Sequence, residues 1–171
     1  MSAHKSIAYT KGDINTYENT IPIEVNSLED YCCNWCGDIQ EINIPTNVSE
    51  IGNYCFEYCT TLTSVNIPTS VIDIGHGCFD RCSSLISINI PTSVIELGSW
   101  CFDGCSSLKS INIPKSVIEI RKYCFYECSS LKTINIPSSI TSFGIGCFYH
   151  CGCEEELKKN ETIPEDCFEK Y

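Results

Sequence analysis

An Ile-Pro pair recurs at Ile21, Ile44, Ile67, Ile90, Ile113 and Ile136, each time 23 residues after the last. A fixed period of this length restricts the fold severely. A unit so short cannot bury its own apolar face and must stack on its neighbours to build a continuous core. The shared pattern reads I-P-x-S-V-x-x-I-G-x-x-C-F-x-x-C-S-S-L-x-S-I-N, with a shortened seventh copy in "TIPEDCFEKY". The spacing predicts one solenoid domain over 1–171, made of an N-terminal cap (1–20), six repeats (21–158) and a shortened C-terminal cap repeat (159–171).

Within a coil, segments such as Leu108-Lys109-Ser110-Ile111-Asn112-Ile113 read as short strands with three inward apolar side chains. Copies one coil apart then form a parallel sheet on one wall. The following proline removes a donor and fixes φ, so the strand ends there and the chain returns along the opposite wall. On that wall "SVIDIG" predicts a short strand, Gly52, Gly75, Gly98 and Gly144 a tight turn, and C-F-x-x-C a helical turn. Glu29 and Arg121 stand in place of that glycine in two coils. Phe56, Phe79, Phe102, Phe125 and Phe148 are expected to stack ring on ring as a spine.

Twelve of the fifteen cysteines fall in two columns: Cys32, Cys55, Cys78, Cys101, Cys124 and Cys147, then Cys36, Cys59, Cys82, Cys105, Cys128 and Cys151. Such regularity favours packing, because cysteine behaves as a small buried hydrophobe. A bridge within a pair requires side chains that converge, whereas i and i+4 on a helical turn run side by side. Between coils, parallel Cβ vectors about 4.8 Å apart exceed the spacing a disulfide prefers. A metal site is the weaker reading, since structural zinc favours knuckles in loops with a second converging pair; no metal or cofactor is expected. Cys33, which replaces the spine phenylalanine in coil one, and Cys153 and Cys167 read as end-cap packing, with exposed reactive thiols the alternative.

Two surfaces are candidates for binding. Outward strand-wall positions give Ser64, Asn66, Ile86, Ser87, Asn89, Lys109, Ser110 and Asn112, either a polar ligand platform or asparagines that satisfy one another across the sheet. Around C-F-x-x-C, the coils differ from one another and carry aromatics and arginine, residue types enriched at interface anchors; Tyr58, Arg81, Trp100 and Tyr126 are the candidates there. Amphipathic side chains covering the edges of a thin solenoid explain them equally well.

Catalysis has little support. His4, His76 and His150 are the three histidines, and none lies in a Ser-His-Asp, H-E-x-x-H or phosphate-loop context. His76 and Asp80, four residues apart, read as a surface ion pair. A net charge of −11 argues against nucleic acid or an anionic membrane as partner. The acids collect at the ends: residues 1–43 carry seven against two bases, and residues 151–171 seven against three. The N-terminal stretch has no signal-peptide apolar run and no segment is long enough to span a bilayer, so the chain reads as cytoplasmic, without membrane insertion.

The elements "SSLKSINIP", "SVIDIG" and "CFDGCSSL" resemble the BspA-like, or Treponema pallidum-type, leucine-rich repeat family, over about residues 21–171. The first cysteine of each pair stands where that family commonly has alanine. The resemblance implies a leucine-rich-repeat solenoid of six 23-residue coils plus a shortened C-terminal coil. It also implies a protein-binding or adhesion module, often at the cell surface, with no catalytic residues to carry over. A self-assembling structural protein and a metal- or redox-active cysteine protein are the alternatives; the partner expected is another protein, with homo-oligomerisation compatible.

Overall fold

The computed structural model describes residues 8–14 and 20–170. Positions 1–7 and 15–19 of the expected N-terminal cap, His4 among them, lie outside the described residues.

Each of the first five coils contributes one strand to each of two walls, and the sixth contributes a strand to the second wall. The first wall is a parallel five-stranded sheet of β3 (Glu41–Asn43), β5 (Ser64–Asn66), β7 (Ser87–Asn89), β9 (Ser110–Asn112) and β11 (Thr133–Ile134). Register is the repeat itself, Ser64 opposite Ser87 and Ser87 opposite Ser110. The second wall runs through β1 (Ala8–Tyr9), β2 (Ser27–Leu28), β4 (Glu50–Ile51), β6 (Asp73–Ile74) and β8 (Glu96–Leu97). It resumes with β10 (Glu119–Ile120) paired to β12 (Ser142–Phe143). Between the walls lies one continuous buried cluster from Tyr9 to Cys167.

The template residues explain how one wall becomes the other. Each proline opens a tight turn in which its carbonyl accepts the N–H three residues on, from valine in the first five coils, as from Val71 to Pro68 at 3.1 Å and Val94 to Pro91 at 3.0 Å, and from Ile140 to Pro137 in the sixth. The serine inside that turn staples coils together: Ser70 and Ser93 donate their hydroxyls to the Val48 and Val71 carbonyls, each at 2.6 Å. The phenylalanine spine is present, with centroids of Phe56, Phe79, Phe102 and Phe125 successively 5.5 Å apart and nearly coplanar, and Phe148 6.0 Å further on.

One local expectation is extended and another corrected. Gly52, Gly75 and Gly98 have no positive φ, in keeping with Glu29 and Arg121 at the same place in other coils; what they permit is close approach. A Cβ on Gly98 lies 2.5 Å from the His76 nitrogen and 2.6 Å from the Gly75 carbonyl carbon of the coil before it. Their amides complete the ladder, Gly75 to Ile51 at 2.9 Å and Gly98 to Ile74 at 3.1 Å. Where Arg121 replaces this glycine, β8 and β10 belong to separate sheets, whereas Glu29 in the same place keeps its ladder bond to the Tyr9 carbonyl at 3.0 Å.

Nor is C-F-x-x-C helical. It is a run of turns in which alternate amides point to the next coil, as Tyr54, Phe56 and Tyr58 do toward the carbonyls of His76, Cys78 and Asp80 at 2.7–2.9 Å. That geometry needs left-handed backbone before each cysteine of the pair. One column of positive φ runs Tyr31, Tyr54, Gly77, Trp100, Tyr123, Gly146, and a second Trp35, Tyr58, Arg81, Gly104, Glu127, His150.

All fifteen cysteines are free thiols; Cys36 is half-buried and the rest are buried, so Cys33, Cys153 and Cys167 are not exposed reactive groups. Those of the second column do more than fill space. The thiols of Cys59, Cys82, Cys105 and Cys128 donate to the carbonyls of Cys33, Phe56, Phe79 and Phe102 at 3.0–3.1 Å, so each ties its coil to the spine position of the coil before. Burial among apolar neighbours pushes the Cys82 and Cys105 thiols well above their ordinary range, keeping them protonated.

Candidate functional site

On the strand wall the structure brings together the eight residues expected there. Ser64, Ser87 and Ser110 form one row, Asn89 lies opposite Asn112, and Asn66 lies opposite Asn43. Ile86 and Lys109 extend the ladder one residue before the strands, the Lys109 amide bonding the Ile86 carbonyl at 3.1 Å. All of these side chains are exposed except Ser64, which is half-buried. Amides of the column do not simply pair with each other. Asn135 instead clasps the Ile113 backbone, accepting from its N–H at 2.7 Å and donating to its carbonyl at 2.8 Å.

At the turn edge, Tyr58, Arg81 and Trp100 occupy left-handed positions and point outward, but Tyr126 does not belong with them. It is only 4% exposed. It stands one residue before the left-handed Glu127, in register with Asp80 and Asp103, where side chains tuck beneath the turn; its ring stacks on Tyr149 at 4.9 Å and meets Tyr123 edge-on.

Six aromatics of this edge form ladders, Tyr31 and Trp35 exposed and Tyr54, Tyr58, Trp100 and Tyr123 half-buried. Trp35 stacks on Tyr58 at 4.1 Å and 6°, Tyr31 on Tyr54 at 5.2 Å, and Trp100 on Tyr123 at 5.6 Å. Where the next coil carries glycine, the preceding side chain lies across it: a Cβ on Gly77 overlaps the Tyr54 ring, and one on Gly104 meets the Arg81 side chain at 3.4 Å. Trp35 is 64% and Tyr31 45% exposed, although sequence reasoning passed over both. The signal for Trp35 was its alignment with Tyr58 and Arg81, one residue before the second cysteine.

Tyr58, Arg81, Gly104, Glu127 and His150 line a shallow depression of about 450 Å³. Asp80 and Asp103 lie under this edge. Burial, and for Asp80 the charge of Asp103, pushes Asp80 up to about 7; burial raises Asp103 to about 6 although Arg81 opposes it. Asp80 pairs with Arg81 at 3.8 Å, not with His76. His76 instead accepts the Ser99 N–H on Nδ1 at 2.9 Å, continuing a capping series in which Asp30 accepts from Asn53 and Asn53 from His76.

A further exposed row was not foreseen. Ile72, Ile95 and Ile118 face outward on the second wall, and Asp73, Glu96 and Glu119 follow them in sequence. Arg121 bridges two of these acids, Glu96 at 2.5 Å and Glu119 at 3.6 Å.

Residues 26–155 match the BspA type leucine rich repeat region in six copies. The chain belongs to that family. Solved structures agree with the BspA-type fold. The Treponema pallidum leucine rich repeat protein is 25% identical with a TM-score of 0.63, over 80% of this chain and 77% of that one. A leucine-rich repeat protein from Eubacterium ventriosum is 29% identical with a TM-score of 0.69, over 77% of this chain. A leucine rich cell surface protein from Faecalibacterium prausnitzii is 27% identical with a TM-score of 0.60, over 75% of this chain. The BspA-type chain spans only 36% and 41% of those last two proteins. No curated protein matches it. No described helix is long and apolar enough to cross a membrane.

Proposed function

We propose that this BspA-type solenoid is a non-enzymatic protein-binding module whose docking surface is the aromatic turn edge around Trp35, Tyr58, Arg81 and Trp100. One observation carries the reading. Six of the nine non-glycine residues with positive φ are Tyr or Trp, and a left-handed conformation costs such residues about 1–2 kcal/mol each. Glycine at 77, 104 and 146 performs the same backbone task in other coils. Backbone geometry therefore gives no reason for bulky rings here, and stacking returns about 0.5–1.5 kcal/mol per pair beyond the area the rings bury. Large, rigid aromatics at the surface, Trp35 exposed and Tyr58 and Trp100 half-buried, beside the exposed Arg81 are what a protein partner uses as anchors. The strand wall, polar and flanking, completes the surface as a rim. The cell-surface description of the Faecalibacterium neighbour makes an adhesive partner one instance of the same reading.

Glycine substitution tests it cleanly because glycine relieves the strained backbone. Trp35→Gly with Tyr58→Gly should keep the circular dichroism spectrum and the melting temperature within a few degrees, yet lose the protein that wild type retains in affinity capture. Asn89→Ala with Asn112→Ala should retain it. The reverse pattern, capture lost only with the asparagines, overturns the proposal. Concentration-dependent sedimentation of the wild type alone, abolished by the aromatic pair, identifies the partner as a second copy.

A further inference from the structure

In five coils the first cysteine of the pair is followed by a spine phenylalanine; in coil one it is followed by Cys33. The exchange of a ring for a thiol gathers three sulfurs. Cys32 Sγ lies 3.5 Å from Cys33 Sγ and 3.3 Å from Cys55 Sγ, and all three atoms lie within 4.8 Å of one another. Each residue is fully buried. Among the described residues this is the one such group of three, and no fourth ligand atom joins it.

We propose that Cys32, Cys33 and Cys55 form a three-coordinate site for a soft monovalent cation, Cu(I). A cation about 2.3 Å from three sulfurs in a plane holds them about 4 Å apart, within reach of small χ1 changes from the observed distances. Structural zinc is almost always four-coordinate. Here the fourth position has neither a protein ligand among the described residues nor exposed surface to supply water. All-thiolate donor sets select soft ions, and Cu(I) accepts low coordination. Each coordinating thiol releases its proton to solvent, so affinity rises with pH. Entry needs only local opening of the terminal coil, where a solenoid has one stacking neighbour fewer.

The test uses the whole chain, reduced and anaerobic, with Cu(I) delivered and competed for by a colorimetric Cu(I) chelator, both on native protein and during refolding. Wild type should retain one equivalent with thiolate-to-copper charge-transfer absorption and a copper X-ray absorption spectrum of three sulfurs. Cys33→Phe restores the repeat and should fold, yet bind at least about a hundredfold more weakly, the scale of a lost ligand rather than of a lost hydrogen bond to a ligand. Cys101→Ala, a column thiol outside the cluster, should bind as wild type does. Retention unchanged in Cys33→Phe, no retention above the chelator by wild type, or four-coordinate Zn(II) bound in preference to Cu(I), each overturns the site.

Discussion

Truncating Phe102 to alanine tests the stacking on which every other feature depends. Its ring is fully buried and sits 5.5 Å from Phe79 and 5.5 Å from Phe125, tilted by 7° and 3°. Phe→Ala in a core costs about 3–5 kcal/mol through lost transfer energy and the residual cavity. The upper part of that range applies, because neighbours on both sides are rings locked in the same stack and cannot collapse into the gap. For a domain of this size each 1 kcal/mol lowers Tm by about 2–4 °C, so a fall of roughly 8–20 °C is expected. A solenoid couples only nearest neighbours, so a central gap should also separate the two halves and broaden the urea transition. Phe148→Ala is the internal comparison: its ring is 6.0 Å from Phe125 on one side and meets Phe168 tilted at 6.2 Å on the other. It should cost less and leave the transition sharp. A Phe102→Ala melt within about 2 °C of wild type, or a larger loss from Phe148→Ala, refutes the argument; both lie outside the range the burial data allow.

Two further outcomes are expected. Gly98→Ala places its Cβ within 2.5–2.6 Å of coil-three backbone, which cannot give way as a side chain would, so it should cost about 1–3 kcal/mol of stability, read as a lower urea midpoint; Gly37→Ala, with nothing within 4 Å, should not. Asp80 and Asp103, raised to about 7 and about 6, bind protons more tightly folded than unfolded. Stability from these two groups is therefore present at low pH and lost as pH rises from about 4 to about 7. Asp80→Asn should raise Tm at pH 8 and reduce the difference between melts at pH 5 and pH 8.

Periodicity made the two walls and the spine legible, since six copies average away local ambiguity and a 23-residue step fixes register as well as topology. What it hid is the use made of each position. Glycine's freedom is visible in a sequence, but whether it serves a turn or a close approach is decided by the neighbouring coil; Gly75 and Gly98 lie against backbone, whereas the left-handed glycines are Gly77, Gly104 and Gly146. Tyr126 was misplaced for a related reason. In a run of tight turns one residue separates inside from outside, and Tyr126 falls on the buried side while Glu127 takes the positive φ.

The departures from the template are more informative than the template. Arg121 for glycine coincides with the parting of β8 from β10, and Cys33 for phenylalanine with the meeting of three sulfurs. At the positions the template leaves open before each cysteine, where glycine also serves, Tyr and Trp give ring ladders exposed at Tyr31 and Trp35. Stacking asks each coil only to repeat the one before it, so a residue that breaks the pattern without breaking the stack is free of the structural demand. Chemistry particular to this chain is to be sought at those positions; Cys33→Phe restores the pattern and the glycine substitutions remove the rings, each while leaving the coils intact.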